Sequence, residues 1–217
     1  FKILNNFSNK KINQIQRTLK MIGVQNSYYA DTKTTTLDLC INSAKYIINK
    51  NKIDTKAIGL VIFVTQTPDY LMPSSSNISI QKLNLDDATI GFDINLGCSG
   101  YVYGLWVISN LLKTIKSKKA LLLVGDTVSK TIKSSDLSHK LLFGDAGSAT
   151  LISKVSSKNN TKSFFDIGSS KKGFDKLMFK NSGFRGNSFK PEFYMDGREV
   201  FLFAISSIPN ISKKLLD

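Results

Sequence analysis

The sequence predicts an α/β fold built on a mixed, mainly parallel sheet covered by helices. Two observations carry this. Three short apolar runs, Ile58–Thr65, Ile90–Leu96 and Ala120–Gly125, have the length and the β-branched content of buried strands. Between them lie segments whose apolar residues recur at helical spacing, so the chain alternates strand, helix, strand, helix, strand. That order demands right-handed crossovers and parallel pairing.

Taken in order, residues 1–23 are polar with a weak helical stripe at Ile12, Ile15, Leu19 and Ile22. Residues 24–33 read as an irregular connection. Thr35 and Asp38 have the spacing of a capping box, and Leu37, Cys40, Ile41, Ala44, Ile47 and Ile48 follow on one helical face. The run IGLVIFVT is apolar throughout, as a strand buried on both faces requires. Ser74, Ser75 and Ser76 can cap a short helix through Leu83. The run from Ile90 to Leu96 reads as a second buried strand. Gly97-Cys98-Ser99-Gly100 breaks it, and Val102, Leu105, Trp106, Ser109 and Leu112 return at helical spacing. The run ALLLVG is the third strand. Residues 126–140 read as a polar loop, and 141–153 as a Gly-rich turn, FGDAGS, entering a strand. Residues 155–162 are polar and read as a boundary. Further strands are predicted over 164–168 and 176–179, inside an otherwise long loop. Residues 199–216 form an apolar-striped helix with Pro209 inside it, where a bend or break is expected.

Composition narrows the function classes. The 217 residues suffice for one substantial core. No apolar run reaches membrane-spanning length, and residues 1–11 lack a secretory leader's apolar centre. Two cysteines, Cys40 and Cys98, cannot build a disulfide framework, which points to a reducing, cytoplasmic setting. The net charge is +14. Of the 30 basic residues only Arg17, Arg185 and Arg198 are arginines, and the lysines are scattered. A solvated lysine face explains that better than a nucleic-acid groove, and it would attract an acidic partner.

Cys98 is the leading chemical candidate. A strand, a tight Gly-flanked turn and a helix make a nucleophile elbow. The orphan N–H groups and the positive end of the helix dipole favour negative charge there. The Cys98 N–H is a natural oxyanion donor, and the glycines admit a substrate carbonyl close to the backbone. From local pattern alone a small buried structural cysteine remains the competing reading. Cys40, on an apolar helical stripe, reads as core. His139 is the sole histidine and sits in a polar segment, as an exposed loop residue would. Asp93, Asp126 and Asp145 fall at strand ends or Gly turns. Phe143 and Trp106 read as core. No cluster has metal-ligand spacing, and Gly144-x-x-Gly147 is too short for a phosphate loop.

Several separated stretches together resemble one family, the β-ketoacyl-acyl carrier protein synthase III condensing enzymes of the thiolase-like superfamily. They are GLVIFVTQT followed by MPSSS, then GFDINLGCSGYVYGL, ALLLVGDTVSKT, LLFGDAGSATLI and MDGREVFLFAI. The resemblance implies a thiolase-like αβαβα fold. Residues 1–154 would form its first half, and 155–217 a connecting loop region and the beginning of the second. It implies that Cys98 accepts an acyl group from acyl-CoA or an acyl carrier protein, before decarboxylative condensation with malonyl-carrier protein. No resident cofactor is implied. Phe143 would line the acyl pocket, Met72 would reach toward a partner subunit's pocket, and Ile90–Leu96 would pair across a homodimer axis.

The departures from the family pattern matter too. The family's decarboxylating His and Asn belong to a second half that these residues barely enter, and His139 aligns with neither. The family's adenine-sandwiching Trp and Arg fall on Arg17 and Met21, and a further nucleotide-contacting Arg on Leu137. This favours a carrier-bound acyl donor over free acyl-CoA. Two alternatives stand beside condensation. One is a related acyltransferase delivering the acyl group to an alcohol or amine. The other is a catalytically silent dimerising or carrier-binding fragment.

Overall fold

The structure, a computed structural model, describes residues 9–154, 163–185 and 189–216. The boundary expected over 155–162 lies outside the described residues. The central sheet has four strands in the order β2-β1-β3-β4: β1 (Ile58–Val64), β2 (Ile90–Ile94), β3 (Lys119–Asp126) and β4 (Ala146–Ser153). β1 pairs in parallel with β2 and β3, while β4 runs antiparallel to β3. The sheet is therefore mixed and mainly parallel, as the alternation of elements predicted.

Alternation along β1 and β3 divides the core into two layers. Val61, Phe63, Leu121 and Leu123 face helix α2 (Thr36–Lys50), meeting Leu37, Cys40, Ile41 and Ala44. Leu60, Ile62, Val64 and Leu122 face the opposite way, onto Ile108 and Leu112 of α4 (Gly100–Thr114). A strand with helices on both sides has no solvent face, which is why IGLVIFV is apolar at every position. Each fully buried Leu, Ile or Phe here contributes about 1.5–3 kcal/mol.

The predicted caps are present. The Thr35 side chain accepts from the Asp38 N–H, and the Asp38 carboxylate accepts from the Thr35 N–H. Ser74 caps α3 (Ser75–Lys82) through the Asn77 N–H. Helix α1 (Asn9–Ile22) buries Ile15 and Leu19 against Leu137 and Leu141.

Several expectations need correction, and one holds with an addition. β2 is an edge strand rather than a buried one, pairing only with β1 and leaving Ile90 44% exposed. Residues 126–140 are not simply a loop. A 3₁₀ turn covers Val128–Thr131, and α5 (Leu137–Leu142) follows, capped by the Asp136 carboxylate on the His139 N–H. No strand forms over 164–168. The strand expected over 176–179 is β5 (Leu177–Lys180), paired antiparallel with an unforeseen β6 (Glu192–Met195). Trp106 is 40% exposed rather than core, because the face of α4 laid on the sheet is Gly100, Gly104, Ile108 and Leu112. The last helix, α6 (Gly197–Leu216), runs through Pro209 as one element and buries none of its side chains.

Candidate functional site

The site forms where β2 ends. Past Ile94 the chain still follows β1, since the Thr65 N–H donates to the Ile94 carbonyl. It then folds over: the Gly100 N–H donates to the Gly97 carbonyl at 2.8 Å, and α4 begins. Cys98 lies in this turn, two residues before the helix, and is exposed.

Small residues permit the closeness. A Cβ on Gly100 would stand 2.4 Å from a Val64 methyl, and one on Gly104 2.5 Å from a Leu122 methyl. Either is closer than real Cβ atoms come. Only glycine lets α4 lie this near β1 and β3 and set its first turn beside Cys98.

Cys98 opens on a cavity of about 840 Å³. Gly97, Ser99 and Gln66 share its wall. From β5, β6 and α6 come Met178, Phe179, Phe193, Leu202 and Phe203, a mostly apolar surface that Lys172, Lys176 and Glu199 interrupt. A second cavity of about 730 Å³ adjoins it, and Gln66, Leu177, Met178 and Phe179 line both. A thiol beside an apolar hollow suits an acyl chain held next to a nucleophile.

Three carboxylates singled out in the sequence serve as backbone clamps around this centre. Asp126 at the end of β3 takes the Thr65 hydroxyl (2.9 Å), the Gln66 N–H (2.7 Å) and the Thr67 hydroxyl (2.8 Å), all on one oxygen. Asp93 on β2 accepts the N–H groups of Ser75 and Ser76 at 2.6 and 2.8 Å, tying the start of α3 to the strand that leads to Cys98. Asp145 accepts from the Ala30 N–H and from both the N–H and the hydroxyl of Ser129.

Phe143 is half-buried, and its ring meets Phe193 edge-on with centroids 5.0 Å apart. It therefore touches a cavity-lining ring. Met72 is 86% exposed in the loop ahead of α3. His139 does not line the Cys98 cavity. Its Nδ1 pairs with the Asp136 carboxylate at 2.5 Å, and its ring packs on Phe193. Burial alone would raise the Asp136 carboxyl, but hydrogen bonds from His139 and Ser138 outweigh it and hold the group below the usual carboxylate range. Leu137 is buried against Ile15 and Leu19, while Arg17 and Met21 are exposed.

Two site residues were missed from sequence, Gln66 and Phe193. For Gln66 the available signal was its place immediately past a buried strand's end. Phe193 gave none beyond being aromatic in a Gly- and Lys-rich stretch.

The two cysteines differ in a measurable way. Cys40 is fully buried, and burial pushes its thiol up to about 12. Iodoacetamide at neutral pH is therefore expected to add a single carbamidomethyl group, on Cys98. Cys40 is expected to react only in denaturant. Peptide mass mapping of native and unfolded samples checks this, and modification of Cys40 in the folded protein contradicts it.

Comparison with known proteins agrees with the site. The family described as 3-oxoacyl-acyl-carrier-protein (ACP) synthase III matches residues 92–172, which include the Cys98 turn, α4 and β4. A Campylobacter jejuni protein provisionally named a 3-oxoacyl-acyl-carrier-protein synthase 3 is 34% identical over 227 residues, covering 97% of this chain and 63% of that protein. The β-ketoacyl-acyl-carrier-protein synthase III of Lactobacillus helveticus is 34% identical over 188 residues, covering 82% of this chain and 56% of that one. The crystal structure of a 3-oxoacyl-(acyl-carrier protein) synthase from Burkholderia xenovorans superposes with a TM-score of 0.84 at 33% identity, over 99% of this chain and 63% of that one. The chain thus spans less than two thirds of these relatives' length. Sequence and fold together make this chain a relative of the 3-oxoacyl-acyl-carrier-protein synthase III condensing enzymes, with their thiolase-like α/β fold.

Proposed function

We propose that this chain is the acyl-accepting part of a synthase III-type condensing enzyme. The observation that carries the reading is Cys98, exposed at the turn into α4 and lining a mostly apolar cavity, within the stretch that matches the family. The Cys98 sulfur attacks the carbonyl of an acyl thioester. The donor's thiol leaves with a proton, and the acyl group stays on the enzyme. Malonyl-carrier protein then loses carbon dioxide, its carbanion attacks the Cys98 thioester, and 3-oxoacyl-carrier protein departs as the Cys98 thiol is restored. The Cys98 N–H, at the head of a helix, is the donor from this chain suited to the oxyanion.

Three further assignments follow from the family likeness. The acyl donor is carrier-bound, because Arg17, Met21 and Leu137 stand where the resemblance implies adenine and nucleotide contacts, and Leu137 is buried. The lysine-rich surface suits an acidic carrier protein. Homodimer pairing through the β2 edge, with Met72 reaching across, completes the assembly. Among the described residues no helix is long and apolar enough to cross a membrane.

The test is product formation by the full-length protein. Supplied with an acyl-carrier protein and malonyl-carrier protein, it is expected to release carbon dioxide and form 3-oxoacyl-carrier protein, detected by mass. Acyl loading of Cys98 with transfer to an added alcohol or amine, and no carbon dioxide release, overturns condensation in favour of simple acyl transfer.

A further inference from the structure

The fold gathers lysines that the sequence scatters. Lys113 stands in the last turn of α4, Lys116 and Lys118 in the link to β3, and Lys119 at the first residue of β3. Lys56 lies in a 3₁₀ turn (Thr55–Ala57) ahead of β1, and Lys154 just past β4. Hydrogen bonds make these segments neighbours. The Ser117 hydroxyl meets the Gly59 N–H and the Ala57 carbonyl, each at 3.0 Å, which lays the link on the residues beside Lys56. The Lys154 N–H donates to the Lys118 carbonyl at 2.8 Å, and Lys119 sits opposite Ser153 in the β3–β4 ladder. Five of the six side chains are exposed. Lys119 is half-buried, its Nζ donating to the Ser153 hydroxyl at 3.2 Å.

What marks this end of the sheet is the separation of charge. From Ile94 to Gly125, and again from Ala146 to Lys154, the chain holds no acidic residue. Asp93, Asp126 and Asp145 stand at the opposite end, where β2 and β3 finish and β4 begins. Asp54, Asp86 and Asp87 share the lysines' end, ahead of β1 and β2, and among the described residues none of them forms an ion pair with the six. Elsewhere the two signs mix: Lys82 pairs with Asp38, Lys133 with Glu192, Lys176 with Asp175 and Lys214 with Asp166. A lysine-rich composition alone would not sort the charges in this way.

We propose that this end of the sheet docks the protein on an anionic lipid surface. The six lysines close one end of the α/β layers rather than line a groove, and none borders either cavity described above. A flat set of like charges matches a flat sheet of phosphate headgroups, to which each nearby lysine adds attraction. Nucleic acid fits less well. The segments that carry the six hold no arginine to grip phosphate in a fork and no aromatic ring to stack a base. A carrier protein serving Cys98 is placed elsewhere too, because β3 alone, eight residues long, puts roughly 25 Å between this end and the site. Docking by the lysine end leaves the Cys98 cavity turned away from the lipid and open to soluble partners. The proposal stands independently of the reaction assigned to Cys98.

Vesicle co-sedimentation with the full-length protein tests this. One set of vesicles is phosphatidylcholine alone, the other equal parts phosphatidylcholine and phosphatidylglycerol. The wild type is expected to sediment with the anionic vesicles only, and to be released as salt rises and the Debye length shrinks. Lys116→Gln with Lys118→Gln removes two exposed charges from the patch, and Lys20→Gln with Lys33→Gln removes two from α1 and the approach to α2. The first pair is expected to weaken binding about 25-fold, at about fivefold per lysine, and the second to change it by no more than about twofold. Equal losses in the two pairs overturn the docking face, since net charge alone then governs binding. Binding to phosphatidylcholine alone as tight as to the mixed vesicles overturns it as well. So does retention on duplex DNA without binding to anionic vesicles, which would assign the patch to nucleic acid instead.

Discussion

Cys98→Ala in the full-length protein is expected to take up no acyl group from acyl-carrier protein, where the wild type gains the mass of one. The loss is complete because no second sulfur can stand in. Cys40 is fully buried on the sheet-facing side of α2, and its thiol, pushed up to about 12, stays protonated at any working pH. The substitution should leave the fold intact. The Cys98 side chain is exposed, and an exposed change away from caps and cores shifts stability by about 0.5 kcal/mol or less. Activity and stability are thus predicted to separate cleanly, with acyl uptake abolished and the melting temperature held. Intact-mass spectrometry after incubation, alongside a thermal melt, reads both. Acyl label on the Ala variant would move the acceptor elsewhere in the chain. Equal collapse of the melt would make Cys98 structural, which local pattern alone had left open.

That ambiguity shows what was legible in the sequence. β1 was legible because a strand covered on both faces must be apolar at every position, and IGLVIFV is. The Cys98 turn was legible because glycines at 97 and 100 bracket a break between two patterned segments. The phase of α4 was not. Periodicity weighs large apolar residues and so put Trp106 inside, yet the closest approach to the sheet is made by Gly100 and Gly104, which carry no hydrophobic signal. The edge character of β2 was hidden for a related reason: a strand half-covered by neighbouring elements reads much like one fully enclosed. α5 and β6 were missed because six and four residues are too few to show a period. Gln66 carried only the signal of standing just past a buried strand's end. Its place on the cavity wall depends on Asp126, which the fold brings up from a distant part of the chain.

The second large effect is on stability, at Gly147. This residue sits opposite Gly125 in the β3–β4 ladder, and helix α2 rests directly on the pair. A Cβ at position 147 would stand 2.5 Å from the Leu39 Cβ, 2.6 Å from the Cys40 nitrogen and 2.7 Å from the Leu39 carbonyl carbon. Two of those three atoms are helix backbone, which no rotamer change can move. The whole of α2 would have to retreat from the sheet, loosening the packing of Leu37, Cys40, Ile41 and Ala44 on Val61, Phe63, Leu121 and Leu123. Overpacking of this kind costs about 1–3 kcal/mol, and more where the backbone itself obstructs. At about 2–4 °C per kcal/mol for a chain of this size, Gly147→Ala should lower the melting temperature by several degrees. Gly168→Ala serves as the control, since a Cβ there meets nothing within 4 Å. The retreat of α2 should also be felt at the site. The Thr36 hydroxyl at the start of that helix bonds those of Thr67 and Thr127, and Thr67 shares the Asp126 oxygen that holds Gln66. Gly147→Ala is accordingly expected to slow acylation of Cys98 as well as to destabilise, whereas Gly168→Ala should do neither. A melt unchanged to within a degree would mean that α2 and β4 tolerate a methyl group between them, and that the clearance at Gly147 is not what seats the helix.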